Sequence, residues 1–291
     1  MSGTVPTISD SHLADVGGLP VHRSLPRRER RTVGAWCFLD HFGPVDVTPS
    51  QTMTVGPHPH IGLHTVTWLL SGEVLHSDSL GNEQLICPGE LNLMTSGRGI
   101  AHAEDGRDHS TGIMDGVQLW VAQPETTRHD PPSFAHHEEL PIFDLQTGTA
   151  TVLVGEFAGA RSSVHVDSPL VGVDIAASGP LEVPVDPTFE YGFAVLDGHL
   201  RFARAEARPD QFVFVGTGRD ALQFDLDMGS RVLLLGGEPF AEEILMWWNF
   251  VARTRAEIER AYADWSSTAE RFGSVRSTLD RIEAPRPFWL H

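Results

Sequence analysis

Two short runs place potential metal ligands at strand spacing: Pro57-His58-Pro59-His60 and Ile100-Ala101-His102-Ala103-Glu104. Successive side chains of an extended strand point to opposite faces, so residues two apart share one face. His58 therefore projects with His60, and His102 with Glu104. Two such strands lying side by side would converge three imidazoles and one carboxylate on a single point. That donor set suits iron, manganese, cobalt, nickel, copper or zinc. It does not suit calcium or magnesium, which take shells of oxygen. One His-x-His is a common accident of sequence. Its combination with His-x-Glu, across a hairpin signal and the Pro88-Gly89 turn, is far more specific.

The surrounding sequence must supply the strands. Thr65–Leu70 is rich in β-branched and aromatic residues, Ser71-Gly72 turns, and Glu73–Asp78 returns. Further turns follow at Leu80–Glu83 and Pro88–Glu90, then strands at Leu91–Met94 and Gly116–Val121. Short strands at this rate predict a small barrel or sandwich. Upstream, residues 1–31 read as an irregular arm or edge strand. The apolar run from Val33 reads as a buried strand that stops at Gly43-Pro44, with His41 hydrogen-bonded and structural. Residues 122–149, with Pro124, Pro131, Pro132 and Pro141, read as a surface linker.

After the linker the strand rhythm resumes, and Asp197-Gly198 is a hairpin signal. No His-x-His or His-x-Glu occurs after residue 150, so this half is expected to be metal-free, with His165 and His199 isolated. The chain is therefore read as all-β, with one domain over residues 1–135 that bears the metal and a second over residues 136–291. Thr254 and Glu257 form a capping box for a short helix at about 255–265, and Ile258, Ala261, Tyr262 and Trp265 make its apolar stripe. That helix is expected to pack on a barrel and is counted with the second domain. Ile244–Val251 is apolar enough to be buried, and residues 266–291 form a tail that docks through Phe288-Trp289-Leu290.

Composition narrows the function classes. The 291 residues carry a formal net charge of −18, which repels phosphate backbones and anionic lipid. All 21 basic residues are arginine, and the one dense run, Arg27 to Arg31, contains Glu29 and reads as a solvated edge. Direct nucleic-acid binding and a membrane role are both disfavoured. Cys37 and Cys87 sit in apolar surroundings, as buried free thiols of a reducing compartment. The N-terminus lacks a basic stretch followed by an apolar run, and no stretch approaches about 20 apolar residues. A soluble, cytoplasmic protein is expected.

The chain resembles the pirin family of the cupin superfamily. The resemblance is carried by Phe38–Pro44, Pro57–Gly62, Asp78–Asn82, Pro88–Glu90, Met94–Glu104, Gln118–Val121 and Gly236-Gly237-Glu238-Pro239. It implies two cupin barrels in tandem, a bicupin. It implies one mononuclear metal, most often iron, held by His58, His60, His102 and Glu104. Members similar to this chain show quercetin 2,3-dioxygenase activity, which implies dioxygen and an aromatic or enolic small-molecule substrate such as a flavonol. Pirins are also known as regulatory partners of transcription factors and metabolic enzymes, which implies a possible protein partner. One departure stands out: His64 occupies a position where the family usually has Glu. It is read as a residue beside the ligands, as a base in the pocket or as an extra nitrogen donor, and on the dioxygenase reading Glu104, or His64 nearby, would accept the proton of a substrate hydroxyl.

Overall fold

The computed structural model describes residues 5–48, 51–108 and 112–290. The expectation of a leaderless N-terminus falls partly on residues 1–4, outside the described residues. Among the described residues no helix is long and apolar enough to cross a membrane.

The chain divides into two compact units, each assembled from separate segments. One joins Met1–Leu13, His22–His41 and His137–Ala241; the other joins Ala14–Val21, Phe42–His136 and Glu242–His291. The segment bearing the helix thus belongs with the unit of His58 and His102, whereas a boundary at 135/136 assigns it to the other half. The cause is its apolar stripe. Ile258, Ala261 and Trp265 bury against Ile61, Ala101, Phe250 and Phe272. Full burial of a large apolar side chain contributes about 1.5–3 kcal/mol, so this face decides where the helix rests.

The first unit is built on an open antiparallel sheet of nine strands. Its centre is the long pair Leu170–Pro184 and Ala221–Gly237, flanked by Gly148–Val154 on one side and Glu190–Asp197 on the other. Phe193, Phe202 and Phe224 meet in its core, with ring centroids 5.7 and 5.1 Å apart. Thr7–Asp10 is an edge strand paired with Gln211–Val215, one of the two readings given to residues 1–31. Two expectations change here. Ile142–Leu145, inside the supposed linker, pairs with Gly148–Val154, because Pro141 sits just ahead of the strand where its missing N–H costs no ladder bond. Asp197-Gly198 makes a turn but no hairpin. Glu190–Asp197 and Leu200–Phe202 both pair with Ala221–Gly237, at different points along it, so the chain turns a corner there.

In the second unit, one sheet runs in the order Thr54–His60, Ile100–Asp105, Val74–Asp78, Glu83–Ile86. In the other, Leu63–Ser71 lies between Leu91–Thr95 and Gly112–Ala122, and Ser133–His137 forms an edge. These are open, jelly-roll-like sheets and not closed barrels. The middle of the supposed linker, Ser133–His137, is thus strand as well. The helix spans Arg255–Ser266, and Thr254 accepts the Glu257 N–H as its cap. In the tail, Trp289 docks, with its indole N–H on Glu259 and its ring 5.2 Å from Trp247, while Phe288 stays exposed. Neither Cys37, which is buried, nor Cys87, which is half-buried, is in a disulfide.

Candidate metal centre

Thr54–His60 and Ile100–Asp105 pair antiparallel, with His102 opposite His58 and Ile100 opposite His60. Strand alternation turns both imidazoles of the first strand toward His102. The ring centroids of His58 and His102 are 4.3 Å apart, and each is 5.0 Å from that of His60. One donor atom from each of the three lies within 4.8 Å of the others, and all three side chains are buried.

The hydrogen bonds assign the tautomers. His58 Nδ1 lies 2.9 Å from the Gly56 carbonyl, and His60 Nδ1 lies 3.1 Å from the Asn249 carbonyl. A carbonyl only accepts, so each Nδ1 carries its proton and each Nε2 keeps a lone pair. Nε2 of His60 then stands 3.0 Å from Nε2 of His102. Burial holds all three rings neutral. It pushes His58 down to about 4, against the Gly56 carbonyl, which favours the charged ring. Burial, reinforced by the neighbouring imidazoles, takes His60 and His102 well below the ordinary histidine range. Neutral nitrogens facing one another in a dry site fit a cation. Two metal–nitrogen bonds of about 2.1 Å meeting at a right angle put their nitrogens about 3.0 Å apart, so the His60–His102 spacing fits adjacent positions on a five- or six-coordinate ion.

Glu104 lies outside that group of three. It follows His102 on the same strand, but the register shifts between the two, so that Glu104 faces Val55 and not Gly56. Its carboxyl is buried, and burial raises its pKa against the opposing influence of His76. His64 also stands apart. The strand of His58 ends at His60, Gly62 turns at φ +67°, and a new strand starts at Leu63, so His64 does not continue the alternation of His58 and His60. His64 is buried, with Nδ1 2.9 Å from Thr95 Oγ1.

Three contributors escaped the sequence reading. Asn249 reaches His60 from a hairpin whose strands are Leu245–Trp247 and Phe250–Ala252. Its contribution is a backbone carbonyl, which leaves no mark in the residue type. Trp120 packs edge-on against His60 at 5.2 Å. His76 lies with Nδ1 3.4 Å from Nδ1 of His102, and its Nε2 3.3 Å from Asp78 Oδ2. His76-Ser77-Asp78 has the same two-residue spacing as the ligand pairs, and that signal was present.

The Pirin family model matches residues 18–121, and that of the Pirin C-terminal cupin domain matches residues 170–273. A Pseudomonas aeruginosa protein provisionally named quercetin 2,3-dioxygenase is 47% identical over 93% of this chain and 85% of its own. A Caulobacter vibrioides pirin-like protein is 38% identical over 89% of this chain and 92% of its own. The crystal structure of an Acinetobacter baumannii quercetin 2,3-dioxygenase, 43% identical, superposes with a TM-score of 0.93 over 96% of this chain and 95% of that one.

Proposed function

The chain belongs to the pirin family, and from that premise we propose that it is a mononuclear metal-dependent dioxygenase acting on flavonol-like substrates. The carrying observation is the convergence of His58, His60 and His102, buried and neutral, with their free nitrogens turned inward. The similarity to quercetin 2,3-dioxygenases supports the substrate class.

In this reading the three imidazoles hold one first-row ion, with iron as the first choice and manganese, cobalt, nickel, copper or zinc as substitutes, and Glu104 completes the set. When bound, such an ion supplies Lewis acidity and, if redox-active, one-electron chemistry toward dioxygen. The chain's own groups do the rest. The Gly56 and Asn249 carbonyls fix the rings of His58 and His60. Trp120, buried against His60, keeps that side of the site dry. Glu104, whose carboxylate burial makes a stronger base, takes the proton of the substrate's enolic hydroxyl. His64, the other residue offered for that role, is assigned to the support of Thr95. The Glu190-bearing unit is assigned a structural role without metal.

The test follows flavonol absorbance under air after metal content has been measured. Turnover that needs the metal, stops with chelator and is lost in His58→Ala supports the reading. A metal-loaded chain that leaves flavonols untouched overturns the substrate assignment.

A further inference from the structure

The three ligand rings are not held alike. His58 and His60 each donate Nδ1–H to a backbone carbonyl, Gly56 and Asn249, which nothing can ionise or re-tautomerise. His102 has a side chain in that place. Its Nε2 faces His60, so its proton sits on Nδ1, and the atom opposite Nδ1 is Nδ1 of His76. For His76 to accept there, its own proton must sit on Nε2. That nitrogen faces Asp78 Oδ2. Asp78 in turn is held by the backbone N–H groups of Leu80 and Asn82 and by the Asn82 side-chain amide. The His76 ring stacks on Phe134, with centroids 4.5 Å apart and planes 14° from parallel. At 3.4 and 3.3 Å both relay contacts are at the long end for hydrogen bonds.

We propose that His76 and Asp78 are positioning residues for the metal, forming a directed chain from His102 through His76 to the Asp78 carboxylate that orients His102 and strengthens it as a donor. The proposal rests on the three-histidine metal reading above. A neutral ring whose N–H is pulled toward a carboxylate puts more electron density on its other nitrogen, and partners of this kind are commonly worth about 10–100-fold in metal affinity. The arrangement makes His102 the one ligand of the three whose donor strength depends on a second side chain.

The test uses the full chain stripped of metal and titrated with Zn(II) against a competing chelator. His76→Phe keeps a ring to stack on Phe134 but can accept nothing, and it should bind Zn(II) about 10–100-fold more weakly. His76→Gln loses the ring but can accept through Oε1 and donate through Nε2–H, and it should recover most of that loss. The opposite order, with Phe binding normally and Gln weakly, would show a packing role and overturn the proposal. Equal affinity in all three forms would do the same. A wild-type chain that binds no Zn(II) overturns the metal reading and the relay together. Because a variant could misfold, the tautomer is also read in the wild type. In ¹⁵N-labelled, Zn(II)-loaded protein, His76 should show its proton on Nε2. A proton on Nδ1 of His76 refutes the chain whatever the variants do.

Discussion

Gly62 carries the turn that ends the strand of His58 and His60, and Gly62→Ala tests how tightly the backbone holds the site. Its φ is +67°, a left-handed conformation that costs an L-residue about 1–2 kcal/mol. An added Cβ would also meet the Val251 carbonyl oxygen at 2.3 Å. That contact is with backbone, so the two chains must part, by roughly an ångström at ordinary van der Waals separations. The bonds at stake are Gly62 N–H to Gly97, at 2.9 Å, and Val251 N–H to Ile61, at 3.1 Å. Each contributes about 0.5–1.5 kcal/mol. The combined loss is about 2–5 kcal/mol, or roughly 1 M in urea midpoint at a slope of about 3 kcal/mol/M. The hairpin that moves also carries the Asn249 carbonyl, which orients His60, so Zn(II) affinity should fall in parallel. Gly89→Ala is the control. Gly89 has φ +87° with nothing within 4 Å of the added carbon, so it should lose only the conformational part, about 1–2 kcal/mol, and keep its affinity. Urea unfolding of the metal-free forms and a chelator-competition titration give both quantities. If Gly62→Ala unfolds no earlier than Gly89→Ala and binds Zn(II) like the wild type, the turn does not position the ligands.

Four further outcomes are expected. Glu104→Gln should weaken metal binding by tenfold or more while the metal-free chain remains at least as stable, since a neutral amide replaces a carboxyl whose ionised form burial disfavours; competition titration and thermal unfolding measure the two. Metal at about 100 times its dissociation constant should stabilise the wild type by about 2.7 kcal/mol in urea unfolding, and His58→Ala should erase that gain. Glu190 is half-buried and accepts the Gly34 N–H at 2.8 Å, and burial raises its pKa. A raised carboxyl gives stability that is complete below the unfolded value and is lost as pH rises through the folded one. Glu190→Gln should therefore match the wild type near pH 4 and gain on it toward pH 7, as urea midpoints across that range will show. Trp265→Ala empties the seam between the helix and Ile61, Phe250 and Phe272, and should cost about 3–5 kcal/mol by the same unfolding measurement.

What could be read ahead of the structure divides by the kind of information a residue type carries. His58, His60 and His102 were legible because imidazoles at strand spacing state both a chemistry and a direction, and the observed pairing sets His102 opposite His58. Glu104 shows the limit of parity. Spacing counts residues along one strand, but a register shift between His102 and Glu104 depends on the partner strand, and no pattern within Ile100–Asp105 encodes it. His64 fails for a related cause: alternation holds only while the strand continues, and Ile61-Gly62 ends it. Gly62 was visible as a glycine, yet the reason it must be one is the Val251 carbonyl, nearly two hundred residues on. The C-terminal segment makes the same point. Its capping box and apolar stripe placed the helix to within a residue, but an amphipathic stripe says only that a face will be buried. Which face it meets was settled by Ile61 and Ala101, buried residues next to His60 and His102. Local chemistry thus named the candidate ligands, and long-range packing supplied what holds them: the Asn249 carbonyl behind His60 and, on the proposal above, the ring of His76 behind His102. Substitutions far down the chain, at Phe250 or Trp265, should therefore lower the metal affinity, since the cluster they belong to packs on Ile61 beside His60 and on Ala101 beside His102; a chelator-competition titration measures it.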